Sequence, residues 1–468
     1  MIPSRESSRR ACVRGESAVA RRLATRLRFV FRSSPVLAMS LEEETHHELR
    51  KEEELRVEVA HGRFVHVTLT DGTAEIFGAE IAKGAAVKLP GGKHAIFTWS
   101  GASLTLRGTP EHCYAASETP MVTYANVEGV LEKRREKARA DPTTFDGPRV
   151  ALVGPTDVGK SSVSKILCNY AVRKGWHPLF VDLDLGQNGI ATPATVGAVP
   201  VDRTIDPTEG FANARDLPLV YFHGDASPGN NPELYMHLIE NLSAMIDKRN
   251  ETNKDAKSSG IVVNTAGWVD GVGYKLLLRA LDALKITDVL VIGQERLHAE
   301  LKRDFFGKTI ERTNQPIEVW KLPKSGGVVE RSPAFRRASR DAAIRAYFYG
   351  ADGDLRPSST TVDFGKVSVF KIGSGPRAPS SALPIGQKTS ADPLRVSTVA
   401  PSMGLLNAVL AVSHGKTQTE ILNQNVAGFI FVTEVDMANG RFTYTSPAGS
   451  GALPSRNLVV GTLKWIET

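Results

Sequence analysis

Apolar and polar positions alternate with a period of two from about Leu49 to Tyr124. Leu55-Arg56-Val57-Glu58-Val59 and Phe64-Val65-His66-Val67-Thr68-Leu69 each place their apolar residues on one face of an extended chain. Asp71-Gly72 offers a tight hairpin turn before Ala74-Glu75-Ile76-Phe77, and segments 95–99 and 103–106 form a second pair. Short strands at this spacing predict a small β-sandwich over 41–132. The charged helical stretch Leu131-Glu132-Lys133-Arg134-Arg135-Glu136-Lys137, followed by a segment bearing Pro and Gly, predicts a linker over 133–148.

From Arg149 to about Gly350 the period changes. Short apolar strands at 150–153, 179–183, 261–263, 289–292 and 317–322 alternate with helical patterns at 161–173, 232–248, 274–285 and 295–304. This alternation predicts an α/β domain over 149–350, with a mostly parallel sheet covered by helices on both faces. Ligands of such sheets gather at the carboxyl ends of the strands. Strand patterns return at 361–372, 426–435, 441–446 and 458–466, around a loop rich in Ser, Pro and Gly at about 373–402. They predict a small C-terminal β domain over 351–468, with no catalytic constellation of its own.

Charge changes the picture only at one end. The chain of 468 residues carries a net +7, but residues 1–40 hold nine of the 58 basic and two of the 51 acidic groups. The remainder balances at 49 of each, so charge gives no reason to expect a nucleic-acid surface on the folded body. The Arg-rich segment 1–40 has the composition of a transit peptide. The preferred readings are a disordered basic tail, or an extension upstream of a start at Met39. Three scattered cysteines make neither a disulfide framework nor a zinc site, which agrees with a reducing compartment. No apolar run approaches the ~18–20 residues of a membrane span.

The densest chemistry lies in Gly154-Pro155-Thr156-Asp157-Val158-Gly159-Lys160-Ser161, which fits the phosphate-binding pattern G-x-x-x-x-G-K-[ST] between a strand and a helix. The glycines let main-chain N–H groups turn onto phosphate oxygens, Lys160 reaches the β and γ phosphates, and the Ser161 hydroxyl can ligate Mg²⁺. This predicts a nucleoside triphosphate site.

Three other stretches could act beside it. Leu183-Asp184-Leu185-Gly186-Gln187 follows the next strand, where a carboxylate can hold Mg²⁺ or accept a proton from an attacking hydroxyl. Strand alternation puts Asp182 and Asp184 on one side, so either could serve, or Asp182 could simply cap a turn. Asn264-Thr265-Ala266-Gly267-Trp268 ends another strand at the same edge, where Trp268 either stacks on a base or fills the core. Finally, Gly326-Gly327 permits a mobile loop from which Arg331 and Arg336 could close over the triphosphate. There is no N-K-x-D guanine signature.

Together these blocks resemble the polyribonucleotide 5′-hydroxyl kinase family, the Clp-type kinase-like subunit of the pre-mRNA 3′-end cleavage factor. The matching stretches are GPTDVGKSS (154–162), LDLGQ (183–187), PLVYFHGDASPG (218–229), NTAGW (264–268), QERL (294–297) and LPKSGGVVERSPAFRR (322–337), with ELR (54–56), AEIFG (74–78) and FTW (97–99) ahead of them. The resemblance covers about 49–468. It implies a β-sandwich, a P-loop domain and a C-terminal β domain, and transfer of the ATP γ-phosphate to the 5′-hydroxyl of RNA, in the nucleus, with other cleavage-factor subunits as partners. Possible roles include tRNA splicing.

By the same resemblance, Asp157, Val158, Gly159, Lys160, Ser161 and Ser162 hold the phosphates, Ser161 holds Mg²⁺, and Asp184 activates the hydroxyl. Arg331 and Arg336 form the lid, Trp268 and Gln187 face the RNA, and Glu54 and Lys93 contact the adenine. The alternative is an ATP-loaded scaffold subunit without kinase turnover.

Overall fold

The computed structural model describes residues 43–211, 217–310, 315–373, 392–449 and 451–467. The extension read over 1–40 lies outside them. In the N-terminal part, β1 (Glu44–Leu49), β2 (Glu54–Gly72), β3 (Glu75–Ile76), β4 (Ala79–Glu80), β5 (Ala86–Phe97), β6 (Ala102–Arg107) and β7 (His112–Ala116) form one antiparallel sheet folded over on itself. The two period-two runs are halves of one strand, β2, which breaks register between Val59 and Phe64. Its first half pairs with β7 and its second with β6, while β5 accompanies both. Two strands thus pass from one layer to the other, the corner device of a sandwich. Leu55, Val57, Val65, Val67, Leu89, Leu104 and Leu106 close the core between the layers.

The hairpin expected at Asp71-Gly72 is absent. Both residues lie within β2, opposite Ser103 and Ala102 of β6, while β3 pairs with β4 and β5. Gly72 adopts φ +77°, and a Cβ there would lie 2.2 Å from Gly101 O. The glycine serves a close crossing of two main chains rather than a two-residue turn.

The first half of the expected linker over 133–148 is helix. Helix α1 (Met121–Ala140) runs through it, and Arg135 is 0% exposed. Its guanidinium donates to Glu128 Oε1 at 2.5 Å and to Ser259 O at 3.0 Å. One charge of the stretch is thus paired inside the protein, while Lys133, Glu136, Lys137 and Arg139 stay exposed.

The central domain follows with β8 (Arg149–Val153), α2 (Lys160–Arg173), β9 (Leu179–Asp182), β10 (Thr195–Pro200), β11 (Leu219–Phe222), α3 (Pro232–Thr252), α4 (Lys254–Ser259), β12 (Ile261–Asn264), α5 (Val272–Ala283), β13 (Asp288–Ile292), α6 (Glu295–Asp304), β14 (Glu318–Leu322) and α7 (Pro333–Tyr349). The strand order is β11-β10-β9-β12-β8-β13-β14. The five strands from β9 to β14 in that order are parallel, while β10 runs against both its neighbours. Strand residues alternate between two cores. Ala151, Val181, Val263 and Val291 pack on α3 and α5, whereas Val150, Phe180, Val262 and Leu290 pack on α1 and α2. Both faces are therefore covered, as the apolar runs required.

The C-terminal domain contains β15 (Ser358–Asp363), β16 (Ser368–Ile372), β17 (Val396–Thr398), β18 (Ala408–Ser413), β19 (Val426–Asp436), β20 (Arg441–Ser446) and β21 (Asn457–Lys464) in one sheet. Two of these were not expected: β17 lies inside the span read as a loop, and β18 (AVLAVS) is buried on both faces and so has no alternation to reveal it. The edge of the central sheet joins this domain's core, where Val220 and Phe222 pack with Phe348, Phe429, Phe431 and Trp465.

Candidate nucleotide and acceptor site

The phosphate loop leaves β8 at its carboxyl end and enters α2. Gly154, at φ +156°, runs beside β13; a Cβ there would lie 2.5 Å from Ile292 O. Gly159 takes φ +94° immediately before α2, a conformation that favours glycine, and Asp157 stands at φ +56°. Ser161 is exposed and Ser162 half-buried in the first turn of the helix, where N–H groups and the dipole favour anions. Lys160 is only 6% exposed, and its ammonium donates to Gly154 O at 2.8 Å and Pro155 O at 2.7 Å. Burial lowers its pKa to about 8, against the opposing attraction of Asp184, Asp157 and Asp182.

The two candidate carboxylates part company here. Asp182 is buried and accepts from Gly189 N at 2.8 Å, Asn264 Nδ2 at 2.9 Å and Asp184 N at 3.1 Å. Burial, with the charge of Asp184 second, pushes its pKa up to about 7 despite those donors. It fixes the turn. Asp184 is half-buried, accepts from Gly186 N at 2.9 Å and Gln187 N at 3.2 Å, and lines a cavity of about 190 Å³.

That cavity collects most of the expected site. Asp157, Val158, Gly159, Lys160, Ser161, Ser162, Asp184, Gln187 and Arg331 line it together with Glu54 and Lys93 of the sandwich. Lys93 pairs with Glu58 at 2.8 Å. Glu54 is buried, takes Arg56 Nε at 2.6 Å on one oxygen and Thr119 Oγ1 at 2.8 Å on the other. The two domains are stapled beside this wall. Tyr170 and Arg173 of α2 donate to Glu75, and Asn169 Nδ2 donates to Phe77 O at 2.9 Å.

Sequence reasoning missed several wall residues, notably Arg56, His94 and Tyr124. Arg56 donates to Glu118 O at 2.7 Å and lies against Gly326-Gly327, where an added Cβ would sit 3.1 Å from the guanidinium group or its stem. The glycine pair, expected to supply mobility, here lets the main chain approach Arg56. Tyr124 donates to Pro323 O at 2.9 Å, holding the same segment from α1. The available signal was the Glu54-x-Arg56-x-Glu58 alternation, which put charge on a strand face that solvent does not reach.

The lid is tied down at its tip as well. Asp157 Oδ2 accepts from Arg331 N at 3.0 Å and Arg336 Nη2 at 2.9 Å, and Arg331 Nη1 donates to Gln187 Oε1 at 2.9 Å. Arg336 does not line the cavity, and neither does Trp268. Trp268 is 39% exposed, which removes the core reading. Its ring is set between two glycines: a Cβ at Gly273 would lie 2.4 Å from Cγ, and one at Gly229 3.3 Å from Cη2. Leu183 and Tyr235 border the small apolar depression beside it, and Leu183 immediately precedes Asp184.

Comparison with known proteins agrees with this architecture. Residues 48–138 match the N-terminal beta-sandwich domain of polyadenylation factor, 154–350 the mRNA cleavage and polyadenylation factor CLP1 P-loop, and 355–467 the pre-mRNA cleavage complex II protein Clp1. The chain is 43% identical over 426 residues to the Protein CLP1 homolog of Arabidopsis thaliana, covering 90% of this chain and 94% of that one. It is 42% identical over 427 residues to the polyribonucleotide 5′-hydroxyl-kinase Clp1 of Bos taurus, covering 90% and 97%. The solved structure of the wild-type Clp1p–Pcf11p (454–563) complex shares its fold, with a TM-score of 0.78 at 23% identity over 91% of this chain and 99% of that one. With all three regions matched in order, the chain belongs to the Clp1 family of mRNA cleavage and polyadenylation factors.

Proposed function

We propose that this protein is an ATP- and Mg²⁺-dependent polynucleotide 5′-hydroxyl kinase that phosphorylates RNA. The observation that carries this is one cavity in which a phosphate loop, a strand-end carboxylate and a lid arginine meet a polar wall from another domain. Glu54 and Lys93 would grip the adenine, and residues 157–162 the phosphates. Mg²⁺ suits the donor set. Among the described residues no three His, Cys, Asp or Glu side chains gather as a metal cage, and Mg²⁺ needs only one or two protein oxygens besides phosphate. Ser161 would hold it, and when bound it would neutralise charge on the phosphates.

The acceptor enters on the side of Gln187 and Trp268, with its terminal base against the Trp268 ring. Asp184 takes the proton of the 5′-hydroxyl as its oxygen bonds to the γ-phosphorus and the bond to the ADP oxygen breaks. Arg331 and Lys160 neutralise the charge that develops. Arg336, through Asp157, keeps the lid in register. Family membership and relatives named as polyribonucleotide 5′-hydroxyl-kinases support the reading, which extends to work in the nucleus beside other cleavage-factor subunits.

The test is label transfer from γ-labelled ATP to a 5′-hydroxyl oligoribonucleotide. Transfer by the purified chain, dependent on Mg²⁺, is expected. ATP binding without transfer would favour an ATP-loaded scaffold subunit. On the acceptor side, Trp268→Ala is expected to raise KM for RNA more than KM for ATP.

A further inference from the structure

Segment 218–229, PLVYFHGDASPG, stands out in the sequence but supplies nothing to the cavity. In the fold it is a bridge. Its main chain crosses β21 of the C-terminal domain at two glycines: a Cβ on Gly461 would lie 2.1 Å from Gly224 O. Thr462 N donates to Gly224 O at 2.7 Å, and Thr462 Oγ1 donates to Asp225 Oδ2 at 2.7 Å. The other oxygen of that carboxylate, Oδ1, accepts from Ser227 N at 2.9 Å. Ser227 opens the short turn Pro228–Asn230, and Gly229 in that turn is the glycine against which the Trp268 ring rests. Asn231 closes it, donating to Pro393 O of the C-terminal domain at 2.8 Å.

We propose that the C-terminal β domain is a working part of the acceptor site, with Thr462 and Asp225 as positioning residues that set the Gly229 turn and so the ring of Trp268. This rests on the reading of Trp268 as the acceptor's stacking platform. A protein bound to the C-terminal domain could then alter acceptor use without touching the nucleotide.

The experiment uses the full chain labelled with 5-fluorotryptophan, with the Trp268 resonance assigned as the one lost in Trp268→Phe. Thr462→Val removes the hydroxyl at nearly constant volume, and Thr462→Ser restores it. In Thr462→Val the Trp268 resonance should shift while those of Trp99, Trp176 and Trp320 stay in place. In the same variant KM for the acceptor should rise roughly fivefold, the scale of one or two lost hydrogen bonds, with KM for ATP within about twofold. Thr462→Ser should recover both. In a Trp268→Ala background Thr462→Val should add little, because the two act in series.

An unmoved Trp268 resonance overturns the coupling whatever Trp268 does. A shifted resonance with unchanged acceptor KM, while Trp268→Ala is impaired, overturns the role of the C-terminal domain. If Trp268→Ala itself leaves the acceptor KM unchanged, the stacking platform falls and this inference falls with it, though the resonance shift would still establish the mechanical link.

Discussion

The two ends of the nucleotide cavity are built in opposite ways. The phosphate end comes from one run of nine residues, 154–162, whose strand, turn and helix are contiguous, and a local geometry fixes each part. The far wall comes from Glu54, Lys93, Tyr124 and Gly327, which belong to two strands of the sandwich, a helix and the lid segment. A contiguous end can be read in the chain and changed one residue at a time. A dispersed end is held by pairs, so a change in one member disturbs partners in another domain. The difference predicts how each end fails.

At the phosphate end the failures should be chemical. Lys160→Ala should lower transfer by about 10²–10³, as removal of a transition-state donor does. Asp184→Ala should lower it by about 10²–10⁴, with thermal stability nearly unchanged. Near-normal turnover in Asp184→Ala would reassign the base.

At the far wall the failures should be structural first. Glu54→Ala leaves Arg56 buried beside Gly326-Gly327 without its carboxylate, and should cost about 3–5 kcal/mol, read by denaturant unfolding. If Glu54→Ala is stable and loses only ATP affinity, the two ends are more alike than the geometry says.

A third comparison uses pH. The Lys160 ammonium has a pKa lowered to about 8, so the free protein loses that proton as pH rises through 8, whereas phosphates would retain it. ATP affinity should therefore fall with rising pH above 8, by about tenfold per unit. Lys160→Arg, which stays charged, should show a flat profile between pH 7 and 9.5 even if it binds more weakly. Smallest of all, Gly327→Ala should raise KM for ATP a few-fold by displacing Arg56, and kcat should follow only weakly.

What was legible in the sequence follows the same division. Period changes located the central α/β domain because each of its strands and helices carries its own apolar pattern. The phosphate loop was legible because its chemistry depends on neighbours in sequence. Asp184 could not be separated from Asp182 by alternation. The resemblance chose Asp184, and burial with the three donors on Asp182 supplies the physical difference between a turn-fixing carboxylate and one facing the cavity. Trp268 likewise needed the two glycines that flank its ring, 39 residues before it and five after. Glu54 and Lys93 were reachable only through resemblance. Arg56 and Tyr124 were missed because a charge on a strand and a tyrosine at the start of a helix look ordinary until the lid segment is laid across them.

Helix α1 carries a last consequence. Between Lys133 and Arg139 five residues of seven are Lys or Arg, the densest run of tryptic sites in the described chain. Yet Arg134 is held by Asp288, Arg135 by Glu128 and Ser259, Lys137 lies over Phe145 and Arg139 over Trp176. A protease needs an extended, accessible strand of substrate, and this one is wound into a helix with four of its five basic side chains engaged. The segment that composition marks as the natural place to cut the protein in two should be among the last that limited digestion opens, so fragments released early should keep the sandwich and the phosphate loop together.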